Sequence, residues 1–178
     1  MKVRGACFVF VSTLFIPCAT SAQVIISEIM YDLGEGSDTG REWIEVYNAG
    51  ESSINLTEWK LFEASTNHGI TAVGTESLAS GAYAIIVDNA AKFQLDHSSY
   101  NGQLFDSSFS LSNTGEQLML RCCGSDLIDK DIVSYTSETG AAGDGNSLSR
   151  SASASATFSA GAPSPGTGSL SQIPGLGG

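Results

Sequence analysis

Three carboxylates at three-residue spacing, Asp32, Glu35 and Asp38, stand in a stretch that also holds Gly34, Gly36 and Gly40. A hard cation takes six to eight oxygen ligands, and carboxylates plus loop carbonyls on a glycine-rich backbone can wrap one, so the chemistry these residues suggest is calcium binding. The pattern Asp-x-x-Glu-x-x-Asp is not that of an EF-hand loop. The competing reading is a solvated loop tethered by an ion pair. On either side, Glu28 and Glu45 fall inside apolar runs, where a buried carboxylate needs a partner, and Arg41 is the nearest cation in sequence.

Other reactive residues are few. Asp96-His97-Ser98-Ser99 places an acid, an imidazole and two hydroxyls in a row, but catalytic triads are assembled from separated segments so that each member points at the next. A solvated loop is expected there, and a turn at Asn67-His68. The chain has no Gly-x-Ser-x-Gly elbow, phosphate loop, His-Glu-x-x-His or zinc-type cysteine spacing. No catalytic residue and no required cofactor is assigned, and calcium is the one ligand in view. Cys122 and Cys123 are adjacent and read as small apolar residues at a strand end, as a vicinal disulfide, or as partners of another chain.

The elements that position these groups read as strands. Val24 to Met30 is β-rich. From Glu42 to Asn48 the residues alternate, with Trp43, Glu45 and Tyr47 on one face and Ile44 and Val46 on the other. Trp59 and Leu61 share a face, and Trp59 is expected in a core. Ala84 to Val87 is continuously apolar, as in a central strand covered on both sides. Leu118 and Leu120 alternate inward, and a bulge near Lys130 would reconcile the broken pattern between Leu127 and Tyr135. Asn89 to Leu95 is the one plausibly helical segment. About ten short strands separated by turns imply an all-β sandwich.

Glu28-Ile29-Met30-Tyr31, then Gly36-Ser37-Asp38-Thr39-Gly40, then Arg41-Glu42-Trp43-Ile44-Glu45-Val46-Tyr47-Asn48 resemble the amino-terminal signature of bacterial lamin-tail domains. The resemblance continues through Ile54 to Leu61, Leu78 to Val87, Phe109 to Glu116, Ser147-Leu148-Ser149-Arg150 and Pro163-Ser164-Pro165-Gly166. It implies an immunoglobulin-like β-sandwich, with Glu28, Arg41, Trp43, Glu45, Tyr47 and Trp59 as structural residues. It also implies a non-catalytic module found among exported proteins.

Residues 1–22 read as a secretory signal peptide: Lys2 and Arg4, an apolar run from Ala6 to Ile16, and small residues before Gln23. The domain is expected over residues 23–168, followed by a flexible glycine-rich tail over residues 169–178. Loss of the leader removes two of the eight basic residues and no acid, so the net charge of −11 becomes −13. Such a surface repels phosphate backbones and argues against nucleic acid as a partner. The expected protein is a secreted, periplasmic or cell-surface binding or structural module without a transmembrane segment in the mature chain, meeting a protein, cell-surface or extracellular-matrix component. The alternatives are a calcium-stabilised adhesion module and an accessory fragment of a longer secreted nuclease or phosphatase.

Overall fold

The computed structural model describes residues 24–171. The expected leader and residues 172–178 of the expected tail lie outside the described residues. In chain order the elements are β1 (Val24–Met30), β2 (Trp43–Asn48), β3 (Ile54–Asn55), β4 (Lys60–Glu63), β5 (Thr66–Gly69), β6 (Thr71–Ala72), β7 (Ser77–Leu78), β8 (Tyr83–Val87), α1 (Ala90–Asp96), β9 (Gln103–Asp106), β10 (Gly115–Cys122), β11 (Ile128–Thr136), β12 (Ser147–Arg150) and β13 (Phe158–Gly161). The larger sheet has the order β13-β12-β1-β2-β8-β9-β6, the smaller the order β11-β10-β4-β5, and β3 pairs with β7. β8 and β9 run parallel, a direction a tight turn cannot produce, so the chain crosses between them through α1.

The two sheets close on one apolar core. Val24, Ile26, Ile44, Val46, Ala84, Ile86 and Leu148 of the larger sheet meet Leu61, Leu118, Leu120, Val133 and Tyr135 of the smaller, and Trp59 lies among them. This is an immunoglobulin-like β-sandwich. Burial of such side chains contributes about 1.5–3 kcal/mol each relative to exposure, and the period-2 alternation of β2 and β10 supplies them to one face.

Both faces of the larger sheet are covered. Met30, Trp43, Ile85, Val87, Phe93 and Leu104 form a second cluster under α1, and Ile25, Tyr47 and Ala49 a third. The alternation expected for Trp43, Glu45 and Tyr47 holds, but their face is buried as well.

Two bulges set which carboxylates face where. In β1 the pairing with β2 shifts between Ile26 and Glu28, leaving Ser27 as the extra residue. Strand side chains alternate, so with Ser27 in regular pairing Glu28 would share the core face of Val24 and Ile26; with Ser27 bulged out, Glu28 turns to the outer face and Ile29 turns inward. In β11 the extra residue is Lys130, between Asp131 opposite Leu120 and Asp129 opposite Arg121. The bulge lies where the sequence predicts it. The inward residue beyond it, however, is Asp131, while Ile128 and Ile132 are 58% and 46% exposed.

Asp131 is kept in the interior by Arg150. The guanidinium donates two hydrogen bonds to its carboxylate, 2.8 and 3.1 Å, and one to Ile26 O, 2.9 Å, while Ile26 N donates to Asp131 Oδ2, 2.8 Å. The ion pair thus joins the two sheets and fills the backbone bonds that the β1 bulge leaves open. Cys122 and Cys123 are joined as a vicinal disulfide at the end of β10.

Candidate functional site

The loop from Tyr31 to Glu42 is held from three sides. Asp38 accepts hydrogen bonds from Leu33 N at 3.0 Å and Asn113 Nδ2 at 2.9 Å. Arg41 donates through Nε to Asp96 Oδ2 and through Nη1 to Glu35 O, both at 2.7 Å. Lys92 Nζ of α1 donates to Thr39 O at 2.8 Å. A β-carbon on Gly34 would lie 2.8 Å from Gly145 N, so glycine is what allows this loop to approach the segment after β11. The loop is therefore preorganised.

α1 supplies the second wall. Asn89 caps it by accepting from Lys92 N at 3.0 Å, and Asp106 accepts from Ala90 N at 2.8 Å. Only Phe93 of this short helix is fully buried; its ring meets Trp43 edge-on, with centroids 6.2 Å apart. His97 follows the helix, lies 4.5 Å from the Phe93 ring and meets Trp43 edge-on at 6.1 Å. Burial lowers its pKa, with Asp96 acting in the opposite direction, which keeps the ring neutral at pH 7. Asp96 is committed to Arg41, so the row Asp96-His97-Ser98-Ser99 forms no triad.

Loop, helix and the segment after β11 enclose an open cleft of about 500 Å³ at one end of the sandwich. Met30, Leu33, Trp43 and Pro163 give it an apolar part. Glu35, Arg41, Asp96, His97 and Asp144 give it a polar rim, and Gly34, Gly143 and Gly145 expose backbone between them. Asp144 has its pKa lowered by hydrogen bonds from Asn146. Asp32 has its pKa raised by burial and then by the charges of Asp38 and Asp144.

Of the three acids singled out as a calcium loop, Asp38 faces Leu33 and Asn113, Glu35 is on the cleft rim, and Asp32 lies beside Gly143. Among the described residues no group of three or more His, Cys, Asp or Glu side chains is arranged to hold a metal ion.

Glu28 and Glu45 are cross-strand neighbours on the outer face of the larger sheet. Arg41, their nearest cation in sequence, does not reach them; it is turned away to Asp96. All of their partners but Ser27 come from beyond β11. Ser147 Oγ and Ser164 N donate to Glu28 Oε1, and Ser164 Oγ donates to Oε2 at 2.8 Å. Ser27 Oγ donates to Glu45 Oε1 at 2.7 Å and Gly166 N to Oε2 at 2.6 Å. Further on, Leu170 N donates to the Tyr83 hydroxyl at 2.6 Å. Residues 163–170 are thus a strap laid over Glu28, Glu45 and Tyr83, with Pro163 at its head forming part of the cleft wall. Leu170, expected in a flexible tail, belongs to this strap and packs with Tyr47. The signals available in sequence were the two strand glutamates and Pro163-Ser164-Pro165-Gly166, 118 or more residues apart and with nothing local to pair them.

Burial raises the pKa of Glu45 to about 7 against the lowering effect of its Ser27 and Gly166 bonds, and the Glu28 charge adds to the rise. Glu42, buried just before β2, the strand of Glu45, and accepting from Leu111 N at 3.0 Å, is also pushed up to about 7, burial again first.

Two facing sheets closed on one core define an immunoglobulin-like β-sandwich module. The Lamin Tail Domain family model matches residues 17–137, more than half of the chain, and the protein belongs to that family. No curated protein and no solved structure matches it. Among the described residues no helix is long and apolar enough to cross a membrane.

Proposed function

We propose that the protein is exported after removal of residues 1–22 and acts as a non-catalytic binding module, a single domain from residue 23 through the strap, that engages a protein or cell-surface component. The observation that carries this reading is the cleft, where apolar surface and polar groups are presented together on a loop already fixed by Asp38, Arg41 and Lys92. Preorganisation favours binding because the ordering entropy is spent during folding, before any partner arrives. The lining groups support binding more than reaction: Arg41 and Asp96 neutralise one another, and His97 is packed against Trp43 and Phe93.

The test is site-specific photocrosslinking. A photoreactive phenylalanine analogue at Leu33, in the cleft, is compared with the same group at Leu95, which is 82% exposed on α1, on intact cells of the producing organism. The expected result is a discrete adduct from position 33 that excess unlabelled protein competes away. Identical patterns from both positions would remove the cleft as the binding surface, and intracellular retention of the chain would remove the export proposal.

A further inference from the structure

The lining of the cleft selects among partners. It carries three carboxylates, Glu35, Asp96 and Asp144, against one guanidinium, Arg41. Arg41 is bonded to Asp96 at 2.7 Å and points Nη1 at the carbonyl of Glu35, so its charge is already met within the protein. Glu35 and Asp144 are exposed on the rim, and Asp32, close behind Gly143, adds to the same negative field. Lys92, the other nearby cation, is turned to Thr39 O. An anionic ligand would face net repulsion here, and a purely apolar one would leave the rim carboxylates beside a low-dielectric contact.

We propose, resting on the binding-module reading above, that the cleft takes an extended basic peptide segment of a partner protein, seating an apolar side chain against Leu33 and Pro163 while neighbouring lysine or arginine side chains meet Glu35 and Asp144. A peptide suits the walls as well as the charge. Gly34, Gly143 and Gly145 leave main chain uncovered along the cleft, where a partner's backbone can approach, while the apolar pocket supplies side-chain selection. The chain's net charge of −11 draws such a segment in at long range.

Fluorescence anisotropy on the full-length purified chain decides it, with labelled Lys-Leu-Lys-Leu-Lys, Lys-Ser-Lys-Ser-Lys and Glu-Leu-Glu-Leu-Glu as probes at about 0.15 M salt, where exposed charges more than about 8 Å apart are screened. The expected order is tightest for the first, weaker for the second and no binding for the third. Glu35→Gln with Asp144→Asn should weaken the first peptide about fivefold to tenfold. Glu51→Gln with Glu58→Gln, which removes the same charge beyond the opposite end of β2, should change it less than about twofold. Leu33→Ser should weaken the leucine peptide toward the serine one. All of these positions lie outside the fully buried core, so an unchanged melting temperature is the folding control. Equal losses from the two double variants would reduce the effect to general net charge and overturn the proposal. Preference for the glutamate peptide, or no peptide binding while position 33 still crosslinks to a discrete component, would overturn the basic-peptide class and leave the module reading standing. Loss of both would overturn both.

Discussion

Glu45 makes the protein's stability depend on pH. In the unfolded chain its carboxyl titrates near 4.5, and in the folded protein burial moves this to about 7; Glu42 behaves in the same way. The folded state therefore holds protons that the unfolded chain releases between these values. The corresponding stability is fully present below about pH 4.5 and is lost as pH rises toward 7. His97 works in the opposite sense, because its lowered pKa makes protonation below about 6.5 unfavourable to the fold. The two glutamates carry the larger shifts, so urea midpoints should fall from pH 5 to pH 7.5. Glu42→Gln with Glu45→Gln should flatten that slope while keeping an acceptor oxygen for Leu111 N and Gly166 N, with the amide NH2 at position 45 turned to donate to Ser27 Oγ. A slope unchanged in the double variant would show that other groups set the dependence.

At the scale of elements, the sandwich rests on its core strands and on one ion pair between sheets. Trp59 is 4% exposed within the main cluster, and Trp59→Ala should cost about 3–5 kcal/mol in equilibrium unfolding; a loss below about 1 kcal/mol would place the ring outside the core. Arg150→Ala leaves Asp131 buried and Ile26 O without its donor, and should cost about 3–5 kcal/mol. Asp131→Leu with Arg150→Met should be less damaging than either single change, measured as a double-mutant cycle. Strand alternation, the covered central strand β8, α1 and the bulge at Lys130 were all legible in sequence, because each is written in contiguous residues. The Ser27 bulge was not: Val24 to Met30 reads as one continuous β-rich strand, and only the pairing with β2 reveals that Glu28 has changed faces. The same limit hid the strap. Ion-pair reasoning assigned Glu28 and Glu45 to Arg41 by proximity along the chain, whereas, apart from the Ser27 bond to Glu45, their hydrogen bonds come from residues more than a hundred positions away. The cleft, drawn from loop, helix and the segment after β11, was likewise scattered over distant stretches; Glu35, Arg41, Trp43 and Asp96-His97 stood out, and Asp144 did not.

At the scale of the whole molecule, the family match ends at residue 137, yet the sheet does not. β1 lies between β2 and β12 in the larger sheet, Asp131 in β11 is matched by Arg150 in β12, and Glu28 and Glu45 are completed by Ser164 and Gly166. A chain ending at Ser137 leaves β1 as an exposed edge, Asp131 buried without its cation, and two outer-face glutamates uncovered. The open edge of β1 and the uncompensated charge of Asp131 are together a large part of a protein's margin, about 5–15 kcal/mol. That chain is expected to lack a cooperative thermal transition and to associate through its open edge. A chain ending at Ala162 keeps β12, β13 and the ion pair, and loses only the strap. It is expected to fold with a lower melting temperature, and, because Glu45 then meets water, with a carboxyl pKa returned toward 4.5 and a flatter dependence of stability on pH. Circular dichroism melts of both truncations against the full chain, across pH 5 to 7.5, separate the two roles. A two-state melt at the full chain's temperature from the shorter truncation would show that the matched segment is the complete folding unit, and an undiminished pH slope without residues 163–178 would show that the strap does not govern Glu45.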